Sequence, residues 1–334
     1  MYRGFPWALV PLLRCSRDSE ALTLDSPAPP GPYLNDGALR CTKCASTYVI
    51  SRGIASLLIE GSLNDESVHE MGQRDNQFAA APTSIDPFIR RWRQATEVDP
   101  TLAACTPYAG KVVAELGCGS GRFTTVLARH AAAMLAIDFS RECLVQLSQK
   151  LEGDEQIGLV RADIGTLHLA PNSFECVLST AHSNLPTREH RLASNRTASA
   201  ALTSGGRYVF SMHFHAARDF LHAVPAAGHY SGTGIYRYHM RATEAKREGA
   251  PYFARIRVQP ILMSLPGVRS LVVTRIAQRI PIVNSLASLL LGIAERPRRV
   301  PEVNYVSPLS IWVTKLLGRT PSLPDRLSTA TRTD

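Results

Sequence analysis

Three glycines and three acids carry most of the chemistry in this sequence. An apolar run, VVAEL, leads into Glu115 and Leu116. Gly117, Gly119 and Gly121 follow, and then a helical pattern begins. Glycines at such a turn let the backbone bend tightly and approach a ligand that a Cβ would exclude. The first N–H groups of the following helix can meet a polar ligand tail. The spacing is G-x-G-x-G, with Arg122 next. The third glycine thus comes one residue early for the dinucleotide fingerprint G-x-G-x-x-G, which weakens a nicotinamide or flavin reading. A second acid, Asp138, ends the run AMLAID 17 residues after Gly121. There it can accept both hydroxyls of a ribose. A third, Asp163, ends LVRAD, where a carboxylate can receive an exocyclic adenine amine.

The cysteines form a second group. Cys41-Thr-Lys-Cys44 has the C-x-x-C spacing of a zinc knuckle. Upstream stands Cys15, and a second knuckle would need cysteine at position 18, where the chain has Asp18. A carboxylate can ligate zinc, so Cys15, Asp18, Cys41 and Cys44 can close a tetrahedral structural site. The alternative is a ribbon that keeps its fold by packing after losing its metal. Cys105, Cys118, Cys143 and Cys176 lie in or beside apolar stretches and read as buried thiols. Nothing suggests a disulfide framework, so a reducing, cytoplasmic setting is expected.

The elements that must position these groups follow from periodicity. Residues 111–255 alternate β-like runs (KVVAELG, AMLAIDFS, IGLVRAD, FECVLST, GRYVFSMHF) with helical patterns. That alternation predicts an α/β fold, a parallel sheet with helices on both faces. A small module over 1–60 and a helical connector over 61–110 precede it. The chain has 334 residues, 45% hydrophobic and 19% charged, which excludes a disordered chain or a disulfide-dense mini-protein. Of the net charge of +9, nearly all sits in the last quarter, where residues 255–334 hold 12 basic and 4 acidic groups. The apolar run at 5–13 contains two prolines and lacks a cleavage site, so no signal peptide is expected. No later run approaches the ~20 residues of a spanning helix.

ELGCGSG, AIDFS, VRAD, NSFECVLST and ALTSGGRYVFS together resemble the class I S-adenosylmethionine-dependent methyltransferases, over about residues 110–215. The resemblance implies a Rossmann-like sheet of seven strands whose last, antiparallel, inserts beside the fifth. ARIRVQPIL would be the sixth strand and SIWVTKLL the seventh, with a helical insertion over about 259–309 between them. It also implies roles. Glu115 would orient the methionyl amino group. Gly117, Cys118, Gly119, Gly121 and Thr180 would border the cofactor. Asp138 would hold the ribose, Phe139 would flank the adenine, and Asp163 with Ile164 would bind its edge.

LLRC…LRCTKCASTYVISRGIASLL resembles the zinc-ribbon segment fused ahead of some bacterial methyltransferases. In such folds the acceptor lies beyond the C-terminal ends of the fourth and fifth strands. His182, His213 and His215 there are candidate bases, and Tyr236 and Tyr238 candidate substrate contacts. The function expected is methylation of a small or lipophilic metabolite, most simply at a hydroxyl oxygen, as in secondary metabolism. The rivals are an rRNA or tRNA methyltransferase and a non-catalytic cofactor-binding activator. Nucleic acid is the less favoured partner, because residues 1–60 hold 6 basic against 5 acidic groups and no aromatic–basic interleaving is evident there. Membrane-surface contact is expected, if anywhere, through the Arg-bearing insertion near the C-terminus.

Overall fold

The structure, a computed structural model, describes residues 1–297 apart from 26–30, 60, 62, 64, 80–85, 154–155, 181, 215–224, 230–233, 264–269 and 278–286. Its centre is five parallel strands: β7 (Val112–Leu116), β8 (Ala133–Asp138), β9 (Ile157–Arg161), β10 (Phe174–Ser179) and β11 (Leu202–His213), numbered after the six short N-terminal strands. They lie in the order β11-β10-β7-β8-β9. Both faces are buried, so these strands read as nearly continuous apolar runs. Alternate residues serve different cores. Ala114, Leu116, Leu135 and Ile137 join one cluster; Val113, Met134 and Ala136 join the other. The first cluster takes up Ala198 and Ala201 of α6 (Arg188–Ala201) and Ala245 of α7 (Ala242–Gly249). The second takes up Leu127 of α4 (Thr124–Leu127), Leu144 and Leu147 of α5 (Arg141–Lys150) and Cys105 of α3 (Asp99–Cys105). The strand order reverses between β7 and β10, which opens a crevice at their C-terminal ends.

Two strands extend the β11 side. β14 (Arg255–Met263) and β15 (Ala287–Glu295) pair antiparallel, and β15 also pairs antiparallel with β11. The sheet of seven strands with an inserted antiparallel last strand is therefore present, and ARIRVQPIL is its sixth strand. The seventh differs from the sequence reading. The place beside β11 is taken by Ala287–Glu295, inside the expected helical insertion, and SIWVTKLL lies outside the described residues. The misreading has a physical cause. Leu289, Leu290, Leu291 and Ala294 are all buried, so this strand lacks the alternation that marks a half-exposed one. The intervening segment is correspondingly shorter and includes α8 (Leu271–Ala277).

The N-terminal residues do not stand apart from this sheet. β2 (Leu22–Leu24), β4 (Gly37–Cys41), β5 (Thr47–Ser51) and β6 (Ile54–Ser56) pair antiparallel in turn, and β6 then adds parallel to β9. One sheet of 11 strands results. A separate pair, β1 (Phe5–Pro6) with β3 (Tyr33–Leu34), brings Phe5 into the core. The connector holds α1 (Asp65–Ala79), α2 (Pro87–Arg93), a π turn at Gln94–Val98, and α3. A small hairpin, β12 (Ala227–His229) with β13 (Tyr236–Tyr238), follows β11.

Gly292 offers a direct check on the placement of β15. It pairs with Phe210, and a Cβ there would fall 2.3 Å from Phe210 Cζ. Gly292→Val is expected to lower stability by about 1–3 kcal/mol through overpacking, measured by chemical denaturation. An unchanged midpoint would contradict the strand assignment.

Candidate active site

The glycine loop opens the site. Gly117 (φ +75°) and Gly119 (φ +53°) take left-handed conformations, which glycine adopts at little cost. A Cβ at either would meet nothing within 4 Å, so a ligand over the loop lies directly against backbone. Gly121 differs: its added Cβ would fall 2.3 Å from Leu147 Cδ1. Gly121 lets the loop pack on α5 and does not border the cavity, a correction to the sequence reading.

The three acids stand at the ends of β7 and β8 and just past β9. Glu115 is fully buried beneath the loop. Thr124 donates its hydroxyl to Oε2 at 2.6 Å, while Oε1 has no hydrogen-bond partner among the described residues. Burial pushes this carboxyl up to about 8, although the Thr124 hydrogen bond pulls the other way. Asp138 accepts the Gly119 N–H at 2.8 Å and the Ser140 N–H at 2.9 Å, and so braces the loop. Burial raises its pKa against both of those bonds. Asp163 accepts the Gly165 N–H at 3.0 Å and faces His190 Nε2 at 3.7 Å. Burial would raise it, but the nearby His190 ring and the Gly165 hydrogen bond outweigh burial and hold it below its ordinary value.

A cavity of about 680 Å³ lies above these groups. Cys118, Phe139, Ile164 and Thr180 join Gly117, Gly119, Asp138 and Asp163 in its wall, while Glu115 lies behind the loop and is not among the lining residues. The residues fit S-adenosylmethionine. The unpartnered Oε1 of Glu115 calls for a donor such as an amino group, the space over Gly117 and Gly119 admits a ligand, and Phe139 with Ile164 supplies an apolar wall for a flat base.

The cover was not foreseen. Ser67, Glu70 and Arg74 of α1, with Arg93 and Glu97 from the stretch after it, line the same cavity. Among the contacts that fasten this cover, Arg122 Nη1 donates to Glu97 Oε1 at 2.6 Å, Ser140 Oγ donates to Asp75 Oδ1, and Ser67 Oγ lies 3.3 Å from His190 Nε2. The available signal was the i,i+4 spacing of Glu70–Arg74 and Arg93–Glu97 on helices with little apolar face.

The candidate bases and contacts separate. His213, at the end of β11, lines the cavity and donates its backbone N–H to Ser183 Oγ at 2.7 Å. His182 does not. Only 2% exposed, it lies 3.2 Å from the Tyr208 hydroxyl through Nδ1 and packs on Phe210. Burial pushes its pKa down to about 3, so it is a neutral core residue. His215 lies outside the described residues. Tyr236 and Tyr238 are absent from the cavity wall, where Ile235 stands instead. The β12–β13 hairpin turns them elsewhere: Tyr236 packs on His229, and Tyr238 donates to Glu244 beneath the Arg191 guanidinium.

The structure brings Cys15, Asp18, Cys41 and Cys44 together, one ligand atom of each within 4.8 Å of the others. Cys15 Sγ and Cys44 Sγ are 3.6 Å apart, and Cys41 Sγ lies 3.4 Å from Asp18 Oδ1. Tetrahedral zinc, with Zn–S near 2.3 Å and Zn–O near 2.0 Å, spaces its ligands roughly 3.5–3.8 Å apart. The set fits structural zinc, with no open position for catalysis.

Residues 113–206 match the family described as a methyltransferase domain. Phosphoethanolamine N-methyltransferase 1 of Triticum aestivum is 38% identical over 88 residues, which are 25% of this chain and 18% of that protein. Demethylmenaquinone methyltransferase of Clavibacter sepedonicus is 34% identical over 86 residues, 26% of this chain and 33% of that protein. The chain thus spans a third or less of the length of these relatives. Among solved structures, N-methyltransferase NodS of Bradyrhizobium japonicum with S-adenosyl-L-homocysteine is 14% identical, with a TM-score of 0.49, covering 69% of this chain and 100% of that one.

Two measurements test the site. The folded protein holds the Glu115 proton up to about pH 8, whereas the unfolded chain releases it near its ordinary 4.5. Unfolding between those values therefore releases a proton, and stability falls as pH rises through the window. Glu115→Gln is expected to remove that part of the slope in denaturation series from pH 5 to 8.5 without ligand; an identical slope would refute the assignment. Elemental analysis is expected to find one zinc per chain, lost in Cys41→Ser together with ribbon stability. A zinc-free wild type would favour the packed, metal-free ribbon.

Proposed function

We propose that this chain, whose residues 113–206 form a class I S-adenosylmethionine-dependent methyltransferase domain, methylates a small or lipophilic metabolite. The observation that carries the reading is a single cavity that joins the glycine loop, Asp138 and Asp163 to His213 and the apolar side chains Ile235, Leu262 and Leu289. S-adenosylmethionine, when bound, supplies an electrophilic methyl group, so the protein's task is to position the acceptor and exclude water.

Each residue then has a definite part. Glu115 orients the amino end of the cofactor, Asp138 its ribose and Asp163 its base. Ile235, Leu262 and Leu289 hold the apolar body of the acceptor. α1 and the π turn shield the chamber from solvent. His213 takes the proton of the acceptor, a hydroxyl in the reading favoured from the sequence, as its oxygen attacks. Membrane-surface contact belongs to the same proposal: α8, between β14 and β15, exposes Val272 and Ile276. No helix among the described residues is long and apolar enough to cross a membrane.

His213→Gln is expected to lower kcat by about 10²–10⁴ while S-adenosylmethionine affinity stays within twofold, read by steady-state kinetics and calorimetry. A kcat within threefold of wild type would remove His213 from the reaction.

A further inference from the structure

We propose that Glu97 is the recognition group for a protonated amine on the acceptor, apart from the hydroxyl that His213 deprotonates, so that the substrate class carries an amine on an apolar skeleton. This deepens the methyltransferase reading and rests on it. Glu97 lies in the π turn between α2 and α3, is 7% exposed, and lines the cavity. π turns recur at functional sites because they re-aim a side chain at the cost of regular helix geometry.

The two oxygens of Glu97 differ. Oε1 accepts from Arg122 at 2.6 Å. Oε2 is buried and accepts no hydrogen bond from the described residues, with Arg93 Nε 4.0 Å away. Asn184 Oδ1, from the segment after β10, is a second buried oxygen without a donor, and Asn184 lines the same cavity. Leaving such atoms unpaired is costly. A ligand N–H can supply the donor that either oxygen lacks. A hydroxyl offers one donor and no charge, while an ammonium offers three and is attracted by the carboxylate.

The surrounding charges engage one side of Glu97: Arg122 pairs with Oε1 at 2.6 Å, while Arg93 Nε, 4.0 Å from Oε2, is beyond hydrogen-bond distance. Glu70, the other buried acid in the cover, is already engaged. Its Oε1 accepts the Tyr236 N–H and lies 3.9 Å from His229, and its Oε2 lies 4.0 Å from Arg74. Ile235, Leu262 and Leu289 complete a wall suited to hydrocarbon.

The test uses the full chain saturated with S-adenosylhomocysteine, titrated calorimetrically at pH 7.5 with octylamine and with octanol. Octylamine is expected to bind at least about tenfold more tightly, a preference that Glu97→Gln abolishes while octanol affinity holds. Equal affinities in the wild type, or a preference that survives Glu97→Gln, would overturn the proposal. So would a tenfold loss of S-adenosylhomocysteine affinity in Glu97→Gln, which would assign Glu97 to the cofactor's own amine. Failure of the wild type to bind S-adenosylhomocysteine at all would instead overturn the methyltransferase reading beneath it.

Discussion

A carboxylate buried in the middle of a sheet with one oxygen unpaired is a constraint that shapes everything near it. Glu115 is fully enclosed, and among the described residues only Thr124 donates to it. Such a group is tolerable when it keeps its proton or when a ligand brings a donor. The strand β7 delivers Glu115 there, and the loop passes over it with glycine at 117, 119 and 121. The rest of the site follows from keeping that loop in place. Asp138, on the neighbouring strand, grips the Gly119 N–H, and Gly121 lets the loop settle against Leu147.

The cover is tied to the same groups. Ser67 touches His190, which faces Asp163; Asp75 accepts from Ser140, whose N–H bonds Asp138; Glu97 pairs with Arg122, beside Gly121. The first two fastenings end on residues that touch Asp163 or Asp138, and in the third Arg122 itself lines the cavity. Ordering the cover and ordering the loop are therefore linked events, and a ligand that settles one favours the other. The zinc-type cluster works at the far side of the sheet. It shapes the turns around β2 and β4, whose strands reach the parallel core through the β6–β9 pairing.

Much of this was legible in the sequence because the groups concerned are local. A glycine turn, an acid at a strand end and a C-x-x-C pair each declare themselves within a few residues, and Cys15 with Asp18 added only one longer link. What stayed hidden depends on tertiary placement. β15 is apolar without a break from Leu289 to Ala294 because it lies between two neighbouring strands with both faces largely buried, so nothing in its period distinguishes strand from helix. His182 and His213 look alike in sequence; one turns into the core onto Tyr208 and Phe210, the other into the cavity. Tyr238 was drawn away by Arg191 and Glu244, and Tyr236 by His229 across the hairpin. Glu97 became visible only when the connector was seen to close over the loop.

The central claim is that the chamber over Glu115 is built for S-adenosylmethionine. Calorimetric titration of the purified chain with S-adenosylmethionine and, separately, with NAD tests it most directly. The account predicts saturable binding of the first at one site per chain and none of the second. Binding of NAD, or of neither compound, would contradict it.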